Sequence, residues 1–119
     1  VKALLEKDPY IVYAVFTCTM IFEELIFRGL VFVSLIEFGN LSEEFAIIIN
    51  AIIFSLYHLH TWPTFRDKKI TFVFIFVSGI LGLICGYFLF SFGYIGAIIF
   101  HWASVFLIYR NLVSFVSEN

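Results

Sequence analysis

The sequence predicts an all-α fold, a polytopic transmembrane helical bundle of about four membrane helices, on three observations. Of 119 residues, 62% are hydrophobic and 13% charged, with a mean hydropathy of +1.04, whereas soluble domains carry charge on about a quarter of their residues. The apolar runs approach the roughly 20 residues that cross a hydrocarbon core about 30 Å thick. The polar breaks between them are short: 39–42, 60–69 and 91–93. One domain fits the length. The chain opens on Val1-Lys2, and its first apolar run is too long and too charged in the middle for a signal peptide. It therefore reads as the core of a longer membrane protein. A net charge of −2 leaves no basic surface for nucleic acid.

Asp8-Pro9 suits a helix start, because Asp caps free N–H groups and Pro fits the first turn. The first helix is expected over about 9–37, with Gly29 as a bend or close-contact point. Gly39-Asn40-Leu41-Ser42 forms a turn, and its Asn40-Leu41-Ser42 sequon reads as coincidental in so short a membrane loop. Ser42 followed by Glu43 and Glu44 marks the next start, with acids at the positive end of the helix dipole. That second helix, about 44–60, carries Asn50, Phe54 and His58 at successive four-residue steps on one slowly drifting face. The stretch 60–69, broken by Pro63, reads as the one sizeable polar loop, with Trp62 in the interfacial aromatic belt. A third helix, about 70–90, places Gly82 and Gly86 in a GxxxG spacing with Gly79 beside them, which favours close helix contact. After Ser91-Phe92-Gly93 a fourth helix, about 94–115, bears His101. Cys18 and Cys85 lack ligand spacing and read as small buried side chains.

Alternating helices gather Lys2, Lys7, Arg66, Lys68, Lys69 and Arg110 on one side, opposite Glu37, Glu43 and Glu44. The positive-inside rule makes the basic side cytoplasmic and puts both chain ends there.

Within the apolar spans the polar inventory is short: Glu23, Glu24, Arg28, Asn50, His58, His101 and hydroxyls such as Ser104. Ionised groups in hydrocarbon cost several kcal/mol each, so they face a protein interior and find partners. Glu24 and Arg28 are four apart, the spacing of a helical ion pair. Glu23, about 100° further round, is left without a local counter-charge. A carboxylate and imidazoles in a dry pocket are suited to deprotonating water. Packing histidines and a purely structural ion pair are the alternative. No Ser-His-Asp or Cys-His arrangement offers an acyl-enzyme nucleophile. Glu plus two His is also a zinc set, although the HExxH signature is absent.

The order E-E-x-x-x-R (Glu23, Glu24, Arg28), then F-x-x-x-H (Phe54, His58), then a histidine in a late helix (His101) resembles the CAAX prenyl protease and bacteriocin-processing family of intramembrane glutamic proteases. The resemblance spans Glu23 to His101. It implies a helical membrane fold of about eight helices, of which residues 1–119 would be a single motif-bearing core domain of four. It implies that Glu23 is the general base activating water, with His58 beside it, and that His101 stabilises the oxyanion. Glu24 and Arg28 would be the supporting pair, and Phe54 would pack near the site. No cofactor is implied. If zinc is present, Glu23, His58 and His101 are its expected ligands. The implied partners are membrane lipid and a peptide or prenylated protein cut near the membrane surface, and the composition favours a bacterial cell membrane.

Two features depart from that pattern. Four residues after His101, where the family has Asn or a close variant, stands Val105, which donates no hydrogen bond. Ser104 is the substitute donor expected here, since Asn111 points to another side of the helix. A catalytically weak or inactive member serving as a bacteriocin-immunity or binding protein is therefore a competing expectation. A zinc-dependent protease and a transporter fragment are others. Depth is the second departure: Glu23 lies about 20 Å along the first helix from Pro9, and His58 within a turn of the end of the second. The two meet if the first helix starts below the membrane surface and the second continues past His60.

Overall fold

The computed structural model describes residues 8–117, and Lys2 and Lys7 lie outside them. The first leg is one helical run, residues 9–37, built from α1 (Pro9–Glu24), a π-helical stretch (Leu25–Val31) and α2 (Phe32–Glu37). The Asp8 carboxylate accepts the Tyr10 N–H at 2.9 Å, and Pro9 takes the first turn. Gly29 makes no close contact. The irregularity expected there is instead the π stretch, a feature that recurs at functional sites. Tyr94 Oη donates to the Arg28 carbonyl inside it at 3.1 Å.

The leg ends where Phe38 and Gly39 N–H both donate to the Ser34 carbonyl and Asn40 turns left-handed at φ 50°. Ser42 caps α3 (Glu43–Tyr57), accepting from the Phe45 N–H, with Glu43 and Glu44 in the first turn. The chain then stays helical through a 3₁₀ turn (His58–His60) and α4 (Thr61–Phe65), reversing only at Arg66, φ 50°. The loop expected over 60–69 is thus largely helix. Pro63 falls in the first turn of α4, where a missing N–H costs no internal bond.

Asp67 caps α5 (Lys68–Ser117), its Oδ1 accepting from Lys69 N–H at 2.8 Å. Gly93, at φ 70° and ψ −171°, breaks this element into two arms. Phe88 stacks on Phe100 with centroids 4.5 Å apart, so the second arm doubles back along the first. A side chain is strained at such a φ, and only glycine makes so tight a hairpin cheaply.

Among the described residues the result is four alternating helical legs. Phe27 meets Phe54 and Tyr57, Phe32 packs with Ala46 and Ile47, and Tyr109 reaches back to Tyr13 and Phe16. Glu43–Thr64 and Lys68–Asn111 are long and apolar enough to cross a membrane, the second being the hairpin. The outside is apolar, with Phe22, Leu30, Phe72, Phe76 and Ile95 exposed, while the largest fully buried side chains include Arg28, Glu24, His101 and Asn50. That inversion of the soluble pattern is what a lipid solvent selects. Cys85 is buried, but Cys18 faces outward, because its stretch of α1 turns only Val12, Met20, Glu23 and Glu24 fully inward.

The glycine stripe sets the approach of the third leg to α3. A Cβ on Gly79 would lie 3.3 Å from Ser55 Oγ, one on Gly82 3.2 Å from Ala51 Cα, and one on Gly86 2.8 Å from Ile47 Cγ2. Ser55 Oγ, so admitted, donates to the Ile75 carbonyl at 2.6 Å. Gly82→Val should push against backbone and the Phe54 ring, lowering stability by about 1–3 kcal/mol, read as an earlier midpoint in a denaturant titration of the protein in detergent.

Candidate active site

The double-glutamate motif lies where α1 passes into the π stretch, so both carboxylates and Arg28 turn toward the bundle axis. Glu24 and Arg28 are fully buried at 0% exposure and pair at 3.3 Å, Glu24 Oε1 to Arg28 Nη1. Arg28 is held by two more groups: its Nη2 donates to the Gly82 carbonyl at 3.2 Å, and its guanidinium lies 4.7 Å over the Phe54 ring. A glycine presents its carbonyl to a long side chain without a Cβ in the way, which ties the GxxxG stripe to the site.

His101, 2% exposed on the second arm of α5, bridges the two acids. Its Nδ1 is 2.7 Å from Glu24 Oε1, and its Nε2 is 3.7 Å from Glu23 Oε2. The carboxylate expected to lack a counter-charge is thus faced by an imidazole from a distant leg. Arg28 neutralises Glu24, and His101 is the group that faces Glu23.

His58 also packs against Phe54. The Phe54 ring meets His58 edge-on at 5.0 Å and His101 at 5.6 Å. His58 Nδ1 is 2.9 Å from the Phe54 carbonyl, and because a carbonyl only accepts, Nδ1 carries the proton and Nε2 keeps its lone pair. His58 makes no direct hydrogen bond or ion pair with either glutamate among the described residues. The Ser104 hydroxyl donates to the Phe100 carbonyl at 2.8 Å. Val105 packs among Tyr13, Phe16, Met20, Trp102 and Phe106, against the first leg.

Three participants were not legible in the sequence. Gly82 contributes through its backbone, which no residue type announces. Cys85 brings its thiol to Glu24 and His101, with the ligand atoms of all three within 4.8 Å of one another. His60 has its Nδ1 2.7 Å from the Tyr57 carbonyl and lies within electrostatic reach of Glu23; its separation from His58 by two residues was the only signal. Asn50 is 1% exposed, and neither of its side-chain polar atoms has a partner. Glu24 Oε2 and Arg28 Nε, likewise without a hydrogen-bond partner among the described residues, add to the polarity of this bundle axis.

The sequence matches the family model described as type II CAAX prenyl endopeptidase Rce1-like over residues 6–107. No curated protein and no solved structure is significantly similar to the chain.

Proposed function

The chain belongs to the Rce1-like family of type II CAAX prenyl endopeptidases, and from that premise we propose that it is an intramembrane endopeptidase that hydrolyses a peptide bond near the cytoplasmic membrane surface with a glutamate- and histidine-activated water. The observation that carries this reading is the buried Glu23–His101–Glu24–Arg28 cluster, in which two acids share one imidazole and the second of them also holds the guanidinium. Glu23 is the general base. The attacking water gives up a proton to it as the water oxygen bonds to the scissile carbonyl carbon, and that proton then passes to the leaving amine nitrogen. His58, with its Nε2 lone pair free, accepts a hydrogen bond from the water. His101 in its protonated form donates from Nε2 to the developing oxyanion, where a preorganised donor gains most. Glu24 and Arg28 fix the imidazole, and Phe54 spaces the two histidines. No metal is assigned to this chemistry.

The substrate class this implies is a prenylated protein or lipidated peptide reaching the site from the bilayer. The chain is assigned to a bacterial cell membrane with both of its ends cytoplasmic. A second reading, a catalytically weak or inactive member acting as an immunity or binding protein, is favoured by Val105 where a donor is expected and by the Ser104 hydroxyl already engaged with Phe100. Loss of one oxyanion donor costs roughly 10²–10³ in rate.

Purified protein in vesicles, offered a farnesylated peptide ending in a CAAX sequence, should release the C-terminal tripeptide. His58→Ala should lower that rate by about 10². Absence of any release above the uncatalysed level discards the hydrolase in favour of the second reading.

A further inference from the structure

His58 and His60 differ from His101 in a way their shared residue type conceals. Both nitrogens of His101 are turned to carboxylates, but each of the other two spends only Nδ1, donating to a backbone carbonyl: His58 to Phe54 at 2.9 Å and His60 to Tyr57 at 2.7 Å. Each therefore keeps an unprotonated Nε2. A metal-ligating histidine usually shows this same arrangement, one nitrogen tied to a carbonyl so that tautomer and ring orientation are fixed. The 3₁₀ turn that carries both rings is itself braced, since Thr61 Oγ1 donates to the His58 carbonyl at 2.7 Å.

Ring centroids of His58 and His60 are 5.9 Å apart, with an interplanar angle of 42°. Zinc binds imidazole nitrogen at about 2.0–2.1 Å, which sets a metal roughly 3.2 Å from each centroid and, at tetrahedral angles, two chelating rings roughly 5.2–5.6 Å apart. The observed spacing exceeds that by a few tenths of an ångström, which a small turn of the exposed His60 ring closes. His58 is half-buried, His60 is exposed, and Glu23 lies within electrostatic reach of His60, adding negative potential that draws a cation. We propose that His58 and His60 form a two-imidazole site for a divalent transition metal of the zinc, nickel and copper class, with water completing the coordination, and that occupancy suppresses hydrolysis by taking the His58 lone pair.

The suppression rests on the function proposed above; the binding does not. Imidazole pairs suit these borderline metals and not magnesium or calcium. The buried Glu24, Cys85 and His101 group is the one set of three ligand residues with their ligand atoms together among the described residues. It is the poorer cation site. Glu24 Oε1 and His101 Nδ1 are already joined at 2.7 Å, and the Arg28 cation stands 3.3 Å from the same oxygen.

The test titrates Ni²⁺ alone into the full protein in detergent and follows Trp62 fluorescence, two residues from His60, with Trp62→Phe as the control. Saturable quenching is expected, weakened about tenfold or more in His60→Ala and in His60→Gln and unchanged in Cys85→Ala. Cleavage by each variant, normalised to its own rate in chelator, should be inhibited by Ni²⁺ in the wild type and spared in both His60 variants. No saturable quenching below about 1 mM, or equal affinity in His60→Ala, overturns the site. Binding that follows His60 with no cleavage under any condition upholds the site and discards only the hydrolase reading.

Discussion

Arg28→Ala should cost about 3–5 kcal/mol, enough to keep most of the protein from accumulating folded. Glu24 is fully buried, and among the described residues Arg28 is its one cationic partner of fixed charge. Truncation leaves a carboxylate in a low-dielectric interior with only the His101 proton to answer it. It also strips the Gly82 carbonyl of its donor and the Phe54 ring of its cation. Arg28→Lys keeps the charge but loses the planar fork that reaches Glu24 and Gly82 together, so a smaller loss is expected. The informative partner is the double variant Glu24→Met, Arg28→Met. Replacing both members of a buried pair with apolar groups is often neutral or stabilising, so stability should return while cleavage does not, because His101 has lost the acceptor on Nδ1. Denaturant midpoints in detergent measure the first effect and tripeptide release the second. A fully stable Arg28→Ala would mean that Glu24 is held neutral by something other than this guanidinium.

Much of this arrangement was legible in the sequence because it rests on local rules. The Asp8-Pro9 start, the Ser42 cap with its two acids, and the four-residue step from Glu24 to Arg28 each follow from helix geometry within one turn. The glycine stripe was readable as a contact surface for the same reason. What one segment does to another was not readable. Inside the π stretch the Arg28 carbonyl accepts a hydrogen bond from Tyr94, 66 residues away, and no local pattern around Leu25–Val31 encodes that contact. Pro63 misled because the same residue that breaks a helix interior is tolerated in a first turn, and which of the two applies depends on where the 3₁₀ turn ends.

The relative rotation of helices was hidden in the same way. Spacing put Glu23, His58 and His101 on inward faces but left open which imidazole meets which acid. Folding the second arm of α5 back at Gly93 carries His101 between the two glutamates, whereas the 3₁₀ turn after α3 leaves His58 against the Phe54 ring, with no direct bond to either acid among the described residues. The polar loop that seemed to end the second leg continues as helix, which brings His60 within electrostatic reach of Glu23. Depth along the axis was therefore a question of helix length, and rotation a question of packing.

The two adjacent glutamates should fail in opposite ways when each is made an amide. Glu23→Gln preserves volume and removes no fixed ion pair, since the partner of Glu23 is His101 at 3.7 Å and not Arg28. Folding should be kept, with a stability change of about 1 kcal/mol or less. Cleavage should fall by about 10⁴, because an amide cannot take the proton of the attacking water, and general-base loss reaches that size when nothing replaces it. Glu24→Gln leaves Arg28 buried with its charge unanswered, so its first symptom should be lost stability, with activity following the folded fraction and the slackened hold on His101 Nδ1. Measuring folded fraction and rate per folded molecule on the same preparations separates the two. A Glu23→Gln protein that keeps its rate within about tenfold of wild type would move the base away from Glu23. The remaining ionisable groups facing the axis, Glu24 and His101, are already committed to each other, so the duty would then fall to His58 through its free Nε2.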